Sequence, residues 1–403
     1  LPRVEAALGP ERNHVTDRGG TGAASTTGGK PPRILITGGG TGGHVYPGLA
    51  VAEKLQEILP GTEIRFVGTS RGIESTLVPR ADYHLYRVPA SGFRGLGIAA
   101  RLLFLWNFLC GWLASLVILV RWRPDAVLGT GGYVSAPVMA AARVLGIACA
   151  LQEQNAIPGS TNRLVGRWAR RIYLGFGSAA RFFAAGRCLE TGNPVRSAFL
   201  EKAAVADVRP AEGRRRILVF GGSRGAASLN RAVAGAAESW RDREDMAFLI
   251  QTGNGRADDV AVAYEGVPTD RVEVREFIDD MPRVLRLADL VVCRAGAMTL
   301  AELHCANKPS ILVPFPFATD DHQTSNAKDC AEAGAARLLP DDRCDGPTLA
   351  ALVDELLADP DTLENMGQAA AKLARPDAAD VIARDLLAMT GEEPHPVKEE
   401  DVP

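Results

Sequence analysis

A strand that runs straight into a glycine loop occurs twice in this chain, about half its length apart. That repetition constrains what the chain can become more than anything else in it. The first copy reads Arg33-Ile34-Leu35-Ile36-Thr37-Gly38-Gly39-Gly40-Thr41-Gly42-Gly43-His44. The second reads Arg216-Ile217-Leu218-Val219-Phe220-Gly221-Gly222-Ser223-Arg224-Gly225-Ala226. In each, an aliphatic run feeds a turn too rich in glycine for any regular element, and a helical pattern follows. Glycine lets main-chain N–H groups close on an anion at a helix N-terminus, where the helix dipole also favours negative charge. Two such units predict two Rossmann-like α/β domains facing a cleft, with a phosphate-bearing ligand between them.

The 403 residues suffice for two domains with separate cores. A formal net charge of −3 offers no basic footprint for nucleic acid. Seven cysteines without a CxxC pair read as reduced thiols, and six histidines show no metal-ligand spacing. From Arg33 onward strand and helix patterns alternate, as parallel sheets with crossover helices require. Strands are expected over 33–37, 63–67, 125–128, 147–152 and 171–174, then over 216–220, 247–251, 272–276, 289–293, 310–313 and 336–339. A helix is expected from Tyr46 to Leu59, with Pro47 in its first turn. The turn Gly192-Asn193-Pro194-Val195-Arg196 marks the break, so the first domain spans 33–195 and the second 196–375. A last helix over 376–390 either stays with the second domain or crosses back to the first. The polar segments 1–32 and 391–403 read as disordered extensions.

Gly38, Gly40 and Gly43 satisfy GxGxxG, but the second strand ends Phe66-Val67-Gly68-Thr69 without the acid that would hold a dinucleotide ribose. The loop also ends in His44 rather than a Walker lysine, which argues against ATP. His44 stands at a helix start beside an anion site, where a group titrating near neutrality suits a general base. Tyr133, in a third glycine turn, either lines the cleft or covers the sheet edge. Glu302 follows the Arg294-Ala295-Gly296 turn, and a carboxylate there can accept from both vicinal hydroxyls of a ribose. The only DxD, Asp359-Pro360-Asp361, reads as a helix cap rather than a metal site.

Taken in series, Gly39–His44, Gly131–Val134, Glu153–Asn155, Gly192–Arg196, Gly221–Ala226, Glu276–Met281 and Arg294–Glu302 resemble glycosyltransferase family 28, the family of peptidoglycan N-acetylglucosaminyltransferases. The resemblance implies a GT-B fold and inverting transfer of N-acetylglucosamine from UDP-N-acetylglucosamine, with no metal and no cofactor. The implied acceptor is the C4 hydroxyl of an undecaprenyl-diphosphate-linked muramoyl-pentapeptide. It places donor contacts at Thr41, Gly42, Gly43, Asn155, Arg196, Ser223, Ile278, Ala297, Met298, Thr299, Leu300, Ala301, Glu302 and Gln323, and makes His44 the base. Ser223 would face the departing diphosphate, Glu302 the ribose and Ile278 the uracil. Gln152 stands where the family usually has His, so no role is expected of that position. The resemblance names no protein partner. The competing readings are a UDP-sugar 2-epimerase of the same fold, a non-catalytic sugar-nucleotide binding protein, and a relative that glycosylates diacylglycerol.

Leu102 to Val120 is an uncharged stretch long enough to span a bilayer, bracketed by Arg101, Arg121 and Arg123. Strands on either side of it must share one sheet, so a span is rejected. A stripe of Asn107, Gly111, Ala114 and Ser115 would lie against the sheet, leaving Leu103, Trp106 and Leu113 to meet an anionic membrane surface on the cytoplasmic face. The alternative is a wholly buried core helix, which is also apolar all round.

Overall fold

Ile34, Leu35 and Ile36 follow one another and are all buried. A strand can satisfy that only when both its faces are covered, as in a parallel sheet with helices on each side. The computed structural model describes residues 30–92, 97–201, 213–222 and 225–392. Ser223 and nearly all of the two expected extensions lie outside the described residues.

The first sheet holds β1 (Arg33–Gly38), β2 (Glu63–Gly68), β3 (His84–Arg87), β4 (Ala126–Gly131), β5 (Ala148–Glu153), β6 (Arg171–Leu174) and β7 (Cys188–Glu190), in the order β3-β2-β1-β4-β5-β6-β7. The second holds β8 (Arg215–Phe220), β9 (Met246–Gln251), β10 (Val272–Arg275), β11 (Leu290–Cys293), β12 (Ser310–Leu312) and β13 (Ala336–Leu338), in the order β10-β9-β8-β11-β12-β13. Every pairing in both is parallel. The strand period of two divides each core: Leu35, Val127 and Leu151 pack on one face of the first sheet, Ile34, Leu128 and Ala150 on the other. In both sheets the reversal of strand order falls beside the strand that feeds a glycine loop, the position where open α/β sheets take ligands.

The helices that shape the site are α1 (Gly42–Ile58), α2 (Ile98–Trp122), α3 (Ala297–Cys305), α4 (His322–Glu332) and α5 (Ala378–Thr390). Helix α1 begins four residues earlier than its pattern predicts, with Thr41 as N-cap, so Pro47 sits in the second turn and not the first. Two edge strands, β3 and β7, also went unpredicted; each is short and largely exposed, with no apolar run to mark it.

Helix α2 is buried only in its second half. Ala114, Ile118 and Leu119 pack on the sheet, and Gly111 meets Pro89 so closely that a Cβ would lie 2.2 Å from its carbonyl oxygen. Leu103 and Trp106 are 58% and 57% exposed, and Leu113 is 46% exposed, which overturns the core-helix alternative. Because β2 and β4 both pair with β1, the helix joins two strands of one sheet and does not separate them.

Helix α5 follows the second domain in sequence and packs on the first. Its Ile382, Ala383, Leu386 and Leu387 are fully buried with Ile34, Val51 and Leu55, and Tyr173 Oη donates to Asp385 Oδ2 at 2.8 Å. The crossing that periodicity left open is therefore made.

Candidate active site

The first glycine loop is held from beneath by a carboxylate. Glu74, 1% exposed, accepts from Gly40 N at 2.9 Å through one oxygen and from Thr69 N and Oγ1 at 2.9 and 2.7 Å through the other. A Cβ on Gly39 would lie 2.5 Å from Glu74 Oε1, so only glycine permits this embrace. Tyr133 covers the loop from the other side, its ring edge 3.1 Å from where a Gly40 side chain would begin, and also packs against the core of the first domain. Beyond the loop, the first-turn amides of α1 at Gly42 and Gly43 point out of the helix end, where an anion can take them.

His44 occupies that first turn. Its Nδ1 lies 3.1 Å from Thr130 O and 3.2 Å from Gln154 Oε1. Two acceptors at one ring nitrogen require it to carry the proton, which leaves Nε2 as the basic atom. Burial lowers the His44 pKa, outweighing these two hydrogen bonds, so the ring is neutral at pH 7.

Glu153 and Asn155 turn the end of β5 toward the second domain. Glu153 is fully buried, accepts from Asn155 N at 2.8 Å and Asn162 Nδ2 at 2.8 Å, and is pushed up to about 6 by burial. Asn326 of α4 reaches across, accepting from Ala156 N at 3.0 Å and donating to Asn155 Oδ1 at 3.3 Å. That pair of bonds joins the two domains, as does the bond from Ser197 Oγ to Glu53 Oε1 at 2.7 Å.

On the second domain, Gly225 carries φ +68, and a Cβ there would lie 2.0 Å from Thr252 O, so this loop too is closed to other residues. Within α3, Ala297, Met298 and Leu300 turn their side chains inward, while Thr299, Ala301 and Glu302 stay partly exposed. Burial lifts the Glu302 carboxyl to about 7 against the pull of the Arg196 charge. Arg196 lies in the domain junction with its guanidinium 4.4 Å from the Tyr46 ring centre and 5.0 Å from that of Phe199. The guanidinium thus stacks on α1 of the first domain while its charge reaches α3 of the second.

Ile278 is 3% exposed, with its N–H donated to Gln251 Oε1 at 3.1 Å. Its side chain belongs to the core; the neighbouring Phe277, 49% exposed, is the apolar surface at that strand end. Gln323 Oε1 accepts from Phe315 N at 2.9 Å and braces the loop before α4. Asp359 caps a helix by accepting from Asp361 N at 3.1 Å, as its spacing suggested. Among the described residues no three His, Cys, Asp or Glu side chains gather as a metal would need. Sequence reasoning missed Glu74; the only hint was an acid six residues beyond the glycine that ends β2.

Two parallel-sheet α/β domains, each with a central strand that runs into a glycine turn, define an enzyme architecture of the GT-B type, with His44 on the first domain and Glu302 on the second. Family models for the glycosyltransferase family 28 N-terminal and C-terminal domains match residues 34–174 and 216–382. The chain is 44% identical over 362 residues, 88% of its length and 98% of the relative's, to a Geobacter metallireducens protein named UDP-N-acetylglucosamine–N-acetylmuramyl-(pentapeptide) pyrophosphoryl-undecaprenol N-acetylglucosamine transferase. A Myxococcus xanthus protein of the same name is 43% identical over 376 residues, covering 91% of this chain and 97% of that one. The crystal structure of Acinetobacter baumannii MurG superposes with a TM-score of 0.71 at 30% identity, over 89% of this chain and all of that one. A UDP-N-acetylglucosamine 2-epimerase superposes at 0.64 with 15% identity over 92% of this chain and all of that one, a likeness of fold alone. The chain belongs to glycosyltransferase family 28.

Proposed function

We propose that the protein transfers N-acetylglucosamine from UDP-N-acetylglucosamine to the C4 hydroxyl of the muramoyl sugar in undecaprenyl-diphosphate-linked muramoyl-pentapeptide, inverting the anomeric carbon. The observation that carries this reading is identity above 40%, along nearly the full chain, to relatives bearing that activity as their name. The geometry supports the following steps. Glu302 accepts hydrogen bonds from the ribose and fixes the donor on α3. His44 Nε2 takes the proton of the C4 hydroxyl as its oxygen attacks the anomeric carbon from the first-domain side. The bond from that carbon to the diphosphate breaks, and UDP leaves with the electron pair toward the second glycine loop, where helix-start amides offset its charge.

The acceptor is lipid-linked, and the exposed side of α2 supplies the means of reaching it. Leu103, Trp106 and Leu113 enter the interface of an anionic membrane, with Arg101, Arg121 and Arg123 at the headgroups, and hold the protein peripherally on the cytoplasmic face.

The test is an assay of the purified protein with UDP-N-acetylglucosamine and a short-chain lipid-linked muramoyl-pentapeptide. A disaccharide product formed one-for-one with UDP is expected. Conversion of the donor to its 2-epimer without acceptor, or no turnover with this pair, overturns the reading.

A further inference from the structure

Three buried side-chain amides run in series from His44 to the second domain. Gln152, Gln154 and Asn193 are each no more than 4% exposed. Asn193 Nδ2 donates to two main-chain carbonyls, Gln154 O at 3.0 Å and Ala297 O at 3.5 Å. A carbonyl only accepts, so the nitrogen of Asn193 must face them and its oxygen must face Gln152. Gln152 Nε2 then donates to Asn193 Oδ1 at 2.9 Å, which turns Gln152 Oε1 toward Gln154. Gln154 Nε2 donates to that oxygen, to Thr130 O at 2.7 Å and to the main-chain Gln152 O at 3.3 Å, so the atom left for His44 is an acceptor. Asn193 thus orients Gln152, while the main-chain carbonyls of Thr130 and Gln152 act together with the Gln152 side chain to orient Gln154, which admits only the Nδ1–H form of His44.

We propose that Gln152 and Gln154 are positioning residues that hold His44 in the tautomer whose Nε2 is basic, and that Asn193 anchors this relay on Ala297, the first residue of the helix that carries Glu302. The proposal rests on the reading of His44 as the base. It gives a role to position 152, of which none was expected. An amide there supplies one acceptor for Gln154 and one donor for Asn193; an imidazole can do the same, whereas an apolar side chain takes the donor from buried Asn193 Oδ1 and leaves Gln154 held by main-chain carbonyls alone. Two charged or titratable groups from other elements face His44: Glu74 from beneath the loop and His322 from across the cleft. The Glu153 carboxylate beside Gln154 is engaged by Asn162 and Asn155.

The test is the pH profile of kcat for the full chain with saturating donor and acceptor, beside the thermal midpoint of each variant. Gln152→Met is expected to lower kcat about ten- to a hundredfold, within the range a general base contributes, with donor KM held within about threefold. Gln152→His is expected to restore most of that loss. Gln154→Glu puts a carboxylate against Nδ1 and is expected to move the acid limb up by about one pH unit or more. A folded Gln152→Met protein with wild-type kcat and acid limb overturns the relay, as does a folded Gln154→Glu protein whose limb has not moved. Should Gln154→Glu not fold, the Gln152→Met and Gln152→His pair decides. His44→Ala separates the two readings. If it keeps full kcat, the base assignment falls and the relay with it; if it loses kcat while the glutamine variants behave as wild type, only the relay falls.

Discussion

Glu302 is a carboxyl that the fold keeps near its own titration point: burial lifts it to about 7, and the Arg196 charge only partly opposes this. The ionised form accepts from both ribose hydroxyls through charge-assisted bonds that the protonated form cannot match, so donor binding strengthens as pH rises through that value and weakens as pH falls below it. The donor KM of the wild-type enzyme is therefore expected to fall between pH 6 and pH 8, and that of Glu302→Gln to stay flat; parallel curves would remove Glu302 from the ribose. Glu302→Ala deletes two charge-assisted bonds of about 1.5–3 kcal/mol each, so donor kcat/KM should drop at least about a hundredfold. At His44 the expectation is the reverse split. Alanine there should cut kcat by roughly 10²–10⁴ and leave UDP affinity, measured by calorimetry, nearly as it was. Both residues stand out as candidates in the sequence, because each sits at a fixed step beyond a strand and a glycine turn. Glu74 and the Gln154 contact to His44 do not. They are side-chain bonds spanning 34 and 110 residues, and no local spacing encodes such a pairing.

Elements were readable where apolar runs mark them. The central strands of both sheets are covered on two faces and appear as unbroken aliphatic runs, so their positions followed directly. The exposed edge strands carry no such signal. The start of α1 was hidden for another reason. Gly42 and Gly43 oppose a helix by about 1 kcal/mol each on propensity, yet the loop and the ligand site need them there, so tertiary structure overrides the local preference. The docking of α5 likewise depends on what α1 offers it, not on its own periodicity. Leu386 is wholly buried in that contact, so Leu386→Ala is expected to cost about 2–5 kcal/mol. Guanidinium unfolding followed by Trp fluorescence would measure the loss. A shift below about 0.5 kcal/mol would mean that α5 contributes little to the first domain's stability.

For the whole molecule, the division of labour between domains sets the predictions. The exposed half of α2 lies on the first domain, so membrane attachment and donor binding should separate cleanly. Wild-type protein is expected to float with anionic vesicles, and Trp106→Ser with Leu113→Ser to remain in the dense fraction with its UDP affinity intact. Equal flotation of the two proteins, or none by either, would sink the contact. The fold class, the two-domain plan and the position of the cleft were all legible from the repeated strand and glycine loop. The return of the last helix was not, and it bears on how this chain is made. A ribosome delivers residues 33–195 long before it delivers 378–390. Until that last segment emerges, Ile34, Val51 and Leu55 have no Ile382 or Leu386 to cover them. The first lobe made is thus the last to be finished, and the second must fold as a completed insertion while the first still waits with an open apolar seam.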